Sequence, residues 1–256
     1  MGRNVPVNAL ETSLELLEAL SGDTGNGAGM GLTDLAEAVG RPKSTVYNHL
    51  KTLERNEYVV AEDGTYRVGC RFLELGANAR NYHDVYAVAQ SEVDRLAAET
   101  GEISALLIEE HGRGVLLYRA EGTEAVHIDS YVGQRIYLHG AALGKAVLSA
   151  LPRERVEGIV DARGLPALTD NTITDRETLF AELAEIADRG VAFDDQERLP
   201  GLRSVAAPIT GSDGTALGSI SVAGPTSRVQ DERFRETLPA TVTGAADAVE
   251  LNLTYA

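Results

Sequence analysis

Between Leu32 and Val68 the chain runs a short apolar-periodic segment, a glycine turn, a second periodic segment and a hairpin signal, an order that few folds accept. The first segment, Leu32-Thr33-Asp34-Leu35-Ala36-Glu37-Ala38-Val39, places Leu35, Ala36 and Val39 on one helical stripe, with Thr33 or Asp34 available as its cap. Gly40 suits the left-handed turn that ends it, and Pro42 suits the first turn of the next helix, where its missing N–H costs nothing. Val46, Leu50 and Leu53 then recur at helical spacing and face inward. Asp63-Gly64 between two β-rich runs marks a hairpin. Helix, turn, helix and wing together read as a winged helix-turn-helix, whose dominant use is to lay the second helix in the major groove of DNA. Lys43, Ser44, Thr45, Tyr47, Asn48 and Lys51 remain for its outer face, and Arg67 lies on the returning wing strand within reach of a phosphate.

Charge at first contradicts this reading. The 256-residue chain carries a net −16. Its distribution removes part of the conflict. Residues 1–80 hold 8 Lys+Arg against 11 Asp+Glu, the remainder 15 against 28, and within residues 41–55 Arg41, Lys43, Lys51 and Arg55 face Glu54 alone. The chain has only three lysines, two of them on the second helix, and 20 arginines. An acidic, lysine-poor chain with 5% aromatics matches a proteome adapted to high internal salt, such as that of a halophilic archaeon. In that setting phosphate contacts are strongly screened, and specificity leans on base contacts and dimerisation.

No run of 18 apolar residues spans a membrane. Met1-Gly2-Arg3-Asn4 opens no apolar secretion segment, and the single cysteine, Cys70, fits a reducing cytoplasm and reads as a small packing residue. Asn8–Leu20 reads as a first helix with Leu10, Leu14 and Leu17 as its stripe and Asn8 with Glu11 as a capping box. Residues 21–31, Gly-rich and lacking a Gly-Lys-Ser/Thr ending, read as a flexible connector and not a phosphate loop. Tyr82–Thr100 reads as a linker helix ended by Gly101. Beyond it, strands are expected at Ser104–Glu109, Val115–Arg119, Val126–Tyr131, Val191–Asp194, Ser204–Ile209 and Ala216–Ala223. Helices are expected at Ala141–Leu151, Arg153–Ala162, Asp175–Arg189 and Asp231–Leu251, with Thr174 and Glu177 forming a capping box. Strand pairs interspersed with helices imply an α+β fold with an antiparallel, GAF-like sheet. The expected organisation is a winged helix-turn-helix over residues 1–70, a linker helix over 71–101 and a GAF-like effector-binding domain over 102–256.

Five blocks in order carry a family resemblance. They are Ala9-Leu10-Glu11 leading to Leu14 and Leu17-Glu18; Pro42-Lys43-Ser44-Thr45-Val46-Tyr47 with Leu50 and Leu53; Tyr66-Arg67-Val68-Gly69 with Leu73-Glu74-Leu75-Gly76; Leu138-His139-Gly140-Ala141-Ala142-Leu143-Gly144-Lys145-Ala146; and Gly201–Pro208 followed by Ser219–Pro225. The whole chain resembles the isocitrate-lyase-regulator (IclR) family of transcription factors. The resemblance implies a homodimer or dimer of dimers on a palindromic operator in double-stranded DNA, no cofactor, and control by a small organic or sugar-derived acid. One departure stands out: the family usually has arginine where this chain has Asn48, which can instead read an adenine edge with two hydrogen bonds.

Mapped by the resemblance, the effector pocket takes Gly140, Ala141, Ala142 and Leu143 at a helix start whose N–H groups suit a carboxylate, Asp194 after a buried strand, and the hydroxyls of Ser204, Ser219 and Ser221. On its own, the Asp194, Asp195, Glu197 run reads as a solvated acidic loop. Two other functions compete. An enzyme would need a nucleophile or a metal; Lys145 reads as a solvated helix lysine, and His111, His127 and His139 are scattered among the strands. A metabolite sensor acting through protein partners would not need the cationic balance of residues 41–55.

Overall fold

A computed structural model describes residues 6–22 and 29–255. The start of the chain and most of the glycine-rich connector, residues 23–28, lie outside the described residues. The chain divides into two compact units, residues 1–79 and 80–256. Among the described residues no helix is long and apolar enough to cross a membrane.

The first unit comprises α1 (Asn8–Ser21), β1 (Met30–Gly31), α2 (Leu32–Ala38), α3 (Lys43–Arg55), β2 (Val59–Glu62), β3 (Thr65–Val68) and most of α4 (Arg71–Asn81). Its core is Leu16, Leu20, Leu35, Ala36, Val46, Leu50, Val59 and Tyr66, with Val39 and Leu53 packed against it. The spacing of Val46, Leu50 and Leu53 thus sets which face of α3 is left to solvent. Gly40 adopts φ +62°, as the turn between α2 and α3 demands. Asp63 and Gly64 both have positive φ, the signature of a tight hairpin turn whose twist matches its strands. The wing has three strands, in the antiparallel order β1-β3-β2, because Met30 and Gly31 pair with Tyr66 and Thr65.

Several local expectations shift. α2 begins at Leu32 after Gly31, with no side-chain cap, and Pro42 is the cap residue of α3, one position before its first turn. Val7, not Asn8, caps α1. α1 buries Thr12, Leu16 and Leu20, whereas Leu10 and Leu14 are 59% and 52% exposed. The helix carries leucines on two faces, so periodicity alone could not select the inner one. Cys70 is exposed and does not pack.

The second unit begins with α5 (Asp84–Thr100), ended by Gly101 at φ +75°. A six-stranded antiparallel sheet follows, in the order β6-β5-β4-β9-β8-β7. Its strands are β4 (Ile103–Glu110), β5 (Arg113–Glu121), β6 (Arg135–Ile136), β7 (Ala192–Asp195), β8 (Leu202–Thr210) and β9 (Ala216–Pro225). Three helices, α6 (Ala142–Ala150), α7 (Arg153–Arg163) and α8 (Arg176–Arg189), are inserted between β6 and β7, and α9 (Leu238–Tyr255) closes the chain after a π-helical turn at Arg233–Thr237. Alternation along the strands sorts the side chains into two cores. Leu106, Ile108, Val205, Ala207, Ile220 and Val222 pack with α5 and α9. Ala105, Leu107, Leu116, Ala192 and Ala206 pack with α6, α7 and α8.

Two expectations are corrected. Val126–Tyr131 is irregular, and the edge strand is instead the short β6; five of the six expected strands are present. α8 is capped by Asp175, whose carboxylate accepts from the Thr178 N–H at 2.8 Å, so the cap sits one residue later than Thr174. The approach of α6 to the preceding chain is close. A Cβ on Gly144 would lie 2.0 Å from the Leu138 carbonyl oxygen, so only glycine fits there.

Candidate DNA-binding face and effector pocket

α3 presents its polar residues as the burial of Val46 and Leu50 requires. Lys43, Ser44, Tyr47, Asn48 and Lys51 are exposed, Thr45 is half-buried, and Arg67 is exposed on β3. α3 has no side-chain cap and no acidic residue in its first turn, so its leading N–H groups and Lys43 offer one positive end to a phosphate. Lys51 differs from the other cations. Its Nζ donates to Glu54 Oε2 at 2.7 Å and sits 5.8 Å from the centre of the Tyr47 ring, and the bond to Glu54 raises its pKa. Arg41 is paired with Glu15 at 3.5 Å. Among the described residues neither Lys43 nor Arg67 has a carboxylate within ion-pair distance, which leaves both cations available.

In the second unit, β-strand alternation and register bring the expected polar residues to a single face of the sheet. Ser204 pairs in register with Asp194 and with Ala223; Ser221 pairs with Ala206 and Ala105, and Ser219 with Leu107 and Pro208. All lie on the side covered by α6 to α8, and all are buried. Asp194 is 1% exposed. Its Oδ1 accepts the N–H of Glu197 at 2.7 Å and of Arg198 at 3.4 Å, and Ser204 Oγ donates to its Oδ2 at 3.2 Å. Burial pushes the Asp194 pKa up against the pull of these donors and of Lys145. Ser219 donates to the Leu143 carbonyl at 2.8 Å, tying β9 to α6 and leaving only acceptor capacity for a ligand. Ser221 is 2% exposed. Gly140 and Ala141 are buried, and Ala142 and Leu143 open α6, whose N-terminus has no side-chain cap.

Three further residues belong to this cluster: Lys145 and Glu197, expected to be solvated, and Arg198, which carried no signal in the sequence. Lys145 is 1% exposed, not solvated; its Nζ lies 2.6 Å from Glu197 Oε1 and 3.6 Å from Glu182 Oε1. Glu197 is likewise buried, at 8% exposure, and its second carboxylate oxygen has no partner among the described residues. Burial raises the Glu197 pKa against the opposing charge of Lys145. Arg198 is half-buried and donates from Nη2 to Gln134 Oε1 at 3.2 Å. Thr169 and Thr172 hold this loop from outside, donating to the carbonyls of Gln196 and Glu197 at 2.7 and 2.6 Å. The partners of Lys145 lie 37 and 52 residues away in sequence, so nothing local signals its burial.

His139 is buried with Nε2 3.0 Å from the Pro166 carbonyl, and burial lowers its pKa, so it serves as a neutral tie to the loop before α8. His111 and His127 are exposed, and among the described residues no three His, Cys, Asp or Glu side chains stand together as a metal set.

Residues 9–63 match the family described as the IclR helix-turn-helix domain, and residues 77–251 match the bacterial transcriptional regulator IclR C-terminal domain. A probable HTH-type transcriptional regulator ArcR of Halobacterium salinarum is 30% identical over 251 residues, covering 96% of this chain and 94% of that protein. The acetate operon repressor of Salmonella typhimurium is 31% identical over 249 residues, covering 96% and 89%. The crystal structure of an IclR transcriptional regulator from Alicyclobacillus acidocaldarius superposes with a TM-score of 0.80 at 29% identity, covering 96% of this chain and 99% of that one.

Proposed function

The chain belongs to the IclR family of transcriptional regulators, with a DNA-binding helix-turn-helix unit and an effector-binding C-terminal unit, and from that premise we propose how each unit works. Ser44, Thr45, Tyr47 and Asn48 touch base edges, while Lys43, Lys51 and Arg67 hold phosphates and set the register of the helix on the groove. The effector is a small organic or sugar-derived acid bound on the α6 side of the sheet by the α6 N-terminus (Gly140, Ala141, Ala142, Leu143), Asp194, Ser204, Ser219 and Ser221. The observation that carries this is the register that brings three buried serines, Ser204, Ser219 and Ser221, to one sheet face beside the desolvated Asp194 carboxyl, a polar patch that suits a small polar ligand between sheet and helix. The Salmonella relative is named for the acetate operon, which supports carboxylate catabolism as the regulated process.

The working form is a homodimer or a dimer of dimers on a palindromic operator, inside the cell where that DNA lies. Exposed Leu10 and Leu14 on α1, and Leu73 and Leu75 on α4, support self-association. DNA binding belongs to residues 1–70 and effector binding to 102–256, and the segment 71–101 between them joins the two while its α5 forms part of the second unit's core. A ligand acts by favouring one of two arrangements of the dimer. The acidic composition and the Halobacterium relative support a source with high internal salt.

Genome-wide mapping of bound DNA at native salt tests the reading. A sharp palindromic motif upstream of a catabolic operon is the expected result. A folded dimer with no enriched DNA would shift the function to a sensor that acts through protein partners.

A further inference from the structure

Arg198 and Gln134 come from opposite edges of the sheet. Arg198 follows β7, one edge strand, by three residues, and Gln134 directly precedes β6, the other edge strand. Their 3.2 Å hydrogen bond therefore requires the sheet to curl until its two edges are bridged. Asp194, whose carboxylate takes the Arg198 N–H, places the root of this bridge at the polar face of the sheet.

Among the described residues, Arg198 stands beside the polar face of the sheet without a paired carboxylate. Three other partly buried guanidinium groups meet carboxylates: Arg203 is bidentate to Asp195, Arg228 is bidentate to Glu102, and Arg189 meets Glu182. Arg198, in a chain with 39 acidic residues, has among the described residues only the neutral amide oxygen of Gln134 as a side-chain partner. Asp194 and Asp129 act on it through space alone. A desolvated cation without a counter-ion is costly, and a planar guanidinium fork is the side chain best matched to a carboxylate. Lys145 neutralises Glu197 nearby, so the charge of Arg198 is the one left to meet a ligand at this face.

We propose that Arg198 anchors the carboxylate of the effector, a small monocarboxylate, and that its hydrogen bond to Gln134 is the clasp of the ligand-free state, exchanged for the ligand on binding. The inference rests on the reading of this sheet face as the effector pocket, and adds to it the group that recognises the charge. Gln134 then competes with the ligand, and its release frees the segment before β6 to move.

Calorimetric titration with acetate, lactate, pyruvate and benzoate, each against its neutral amide, tests this on the full-length protein and on Arg198→Gln, Arg198→Lys, Gln134→Ala and Ser221→Ala. The expected result is an acid that binds the wild type, loses at least about tenfold in Arg198→Gln, recovers part of that in Arg198→Lys, and binds more tightly in Gln134→Ala. Ser221→Ala weakens acid and amide alike. A thermal melt without probe confirms folding, and Arg198→Lys carries the test if Arg198→Gln is unfolded. Undiminished acid binding by both Arg198 variants overturns the inference. Amides binding as well as acids, with dependence on Ser221, leaves the pocket standing and removes Arg198 as its anchor. Failure of every acid and amide to bind the wild type overturns the pocket reading and the inference together.

Discussion

Lys145 and Glu197, 52 residues apart, meet at 2.6 Å with the lysine 1% and the glutamate 8% exposed. One stands in the first turns of α6, the other in the loop after β7, so the pair fixes the distance between the helix start and the loop that carries Arg198. Removing one partner of a buried pair strands the other. Lys145→Met is expected to lower stability by about 3–5 kcal/mol, and the double variant Lys145→Met/Glu197→Gln to recover a substantial part of that loss. Chemical denaturation at pH 7 measures both. Equal stability of single and double variants would show that the two charges are not coupled.

Asp194 gives the second unit a signed pH dependence. Burial raises its folded pKa above the ordinary carboxylate value of about 3.9, against the pull of Lys145, Ser204 and two backbone N–H groups. The folded state then holds a proton that the unfolded chain has released. The stability linked to this group is present in full below the unfolded pKa and is lost as pH rises through the folded value. Asp194→Asn removes the titration and keeps one acceptor oxygen. The variant is therefore expected to gain on the wild type progressively as pH rises above the ordinary carboxylate value in denaturation experiments. Parallel pH profiles would show that the carboxyl ionises in the folded protein at its ordinary pH.

These two sites mark where the sequence was and was not legible. The helix-turn-helix could be read because its signals are local: Gly40, the Val46–Leu50–Leu53 spacing and Asp63-Gly64 each act within a few residues. The shared side of Ser219 and Ser221 was legible through the two-residue period of strands, whereas Asp194 and Ser204 were reached only through the family resemblance. Lys145 was not, because its burial depends on carboxylates brought from the β7–β8 loop and α8. The inner face of α1 was ambiguous for a different reason. Its leucines occupy both faces, and only the packing of α2, α3 and β3 decides that Leu16 and Leu20 are inside.

On the proposed DNA face, a Lys51 contact to phosphate requires its hydrogen bond to Glu54 to be exchanged. Glu54→Gln is expected to strengthen binding on specific and non-specific DNA alike, whereas Lys51→Ala weakens both and lowers the salt slope by roughly one. Asn48→Ala is expected to cost about 1–3 kcal/mol at one base position and little elsewhere. Fluorescence anisotropy against operator variants over a salt series separates the two roles. A uniform loss for Asn48→Ala would make it a backbone contact.

The excess of acid over base sets the last expectation. A net charge of −16, most of it in the second unit, repels itself in dilute buffer, and the Debye length falls to about 3 Å at 1 M salt. Buried pairs such as Lys145–Glu197 are screened far less than the exposed carboxylates, so added salt relieves repulsion while leaving the interior intact. The melting temperature is therefore expected to rise steadily with KCl from about 0.1 M to 2 M, most strongly at pH 7 where the carboxylates are charged. Thermal melts followed by circular dichroism measure it. A melting temperature that falls over this range, or full stability confined to dilute buffer, would remove the high-salt reading. The specific DNA complex would then have to be sought at low ionic strength, where phosphate contacts dominate.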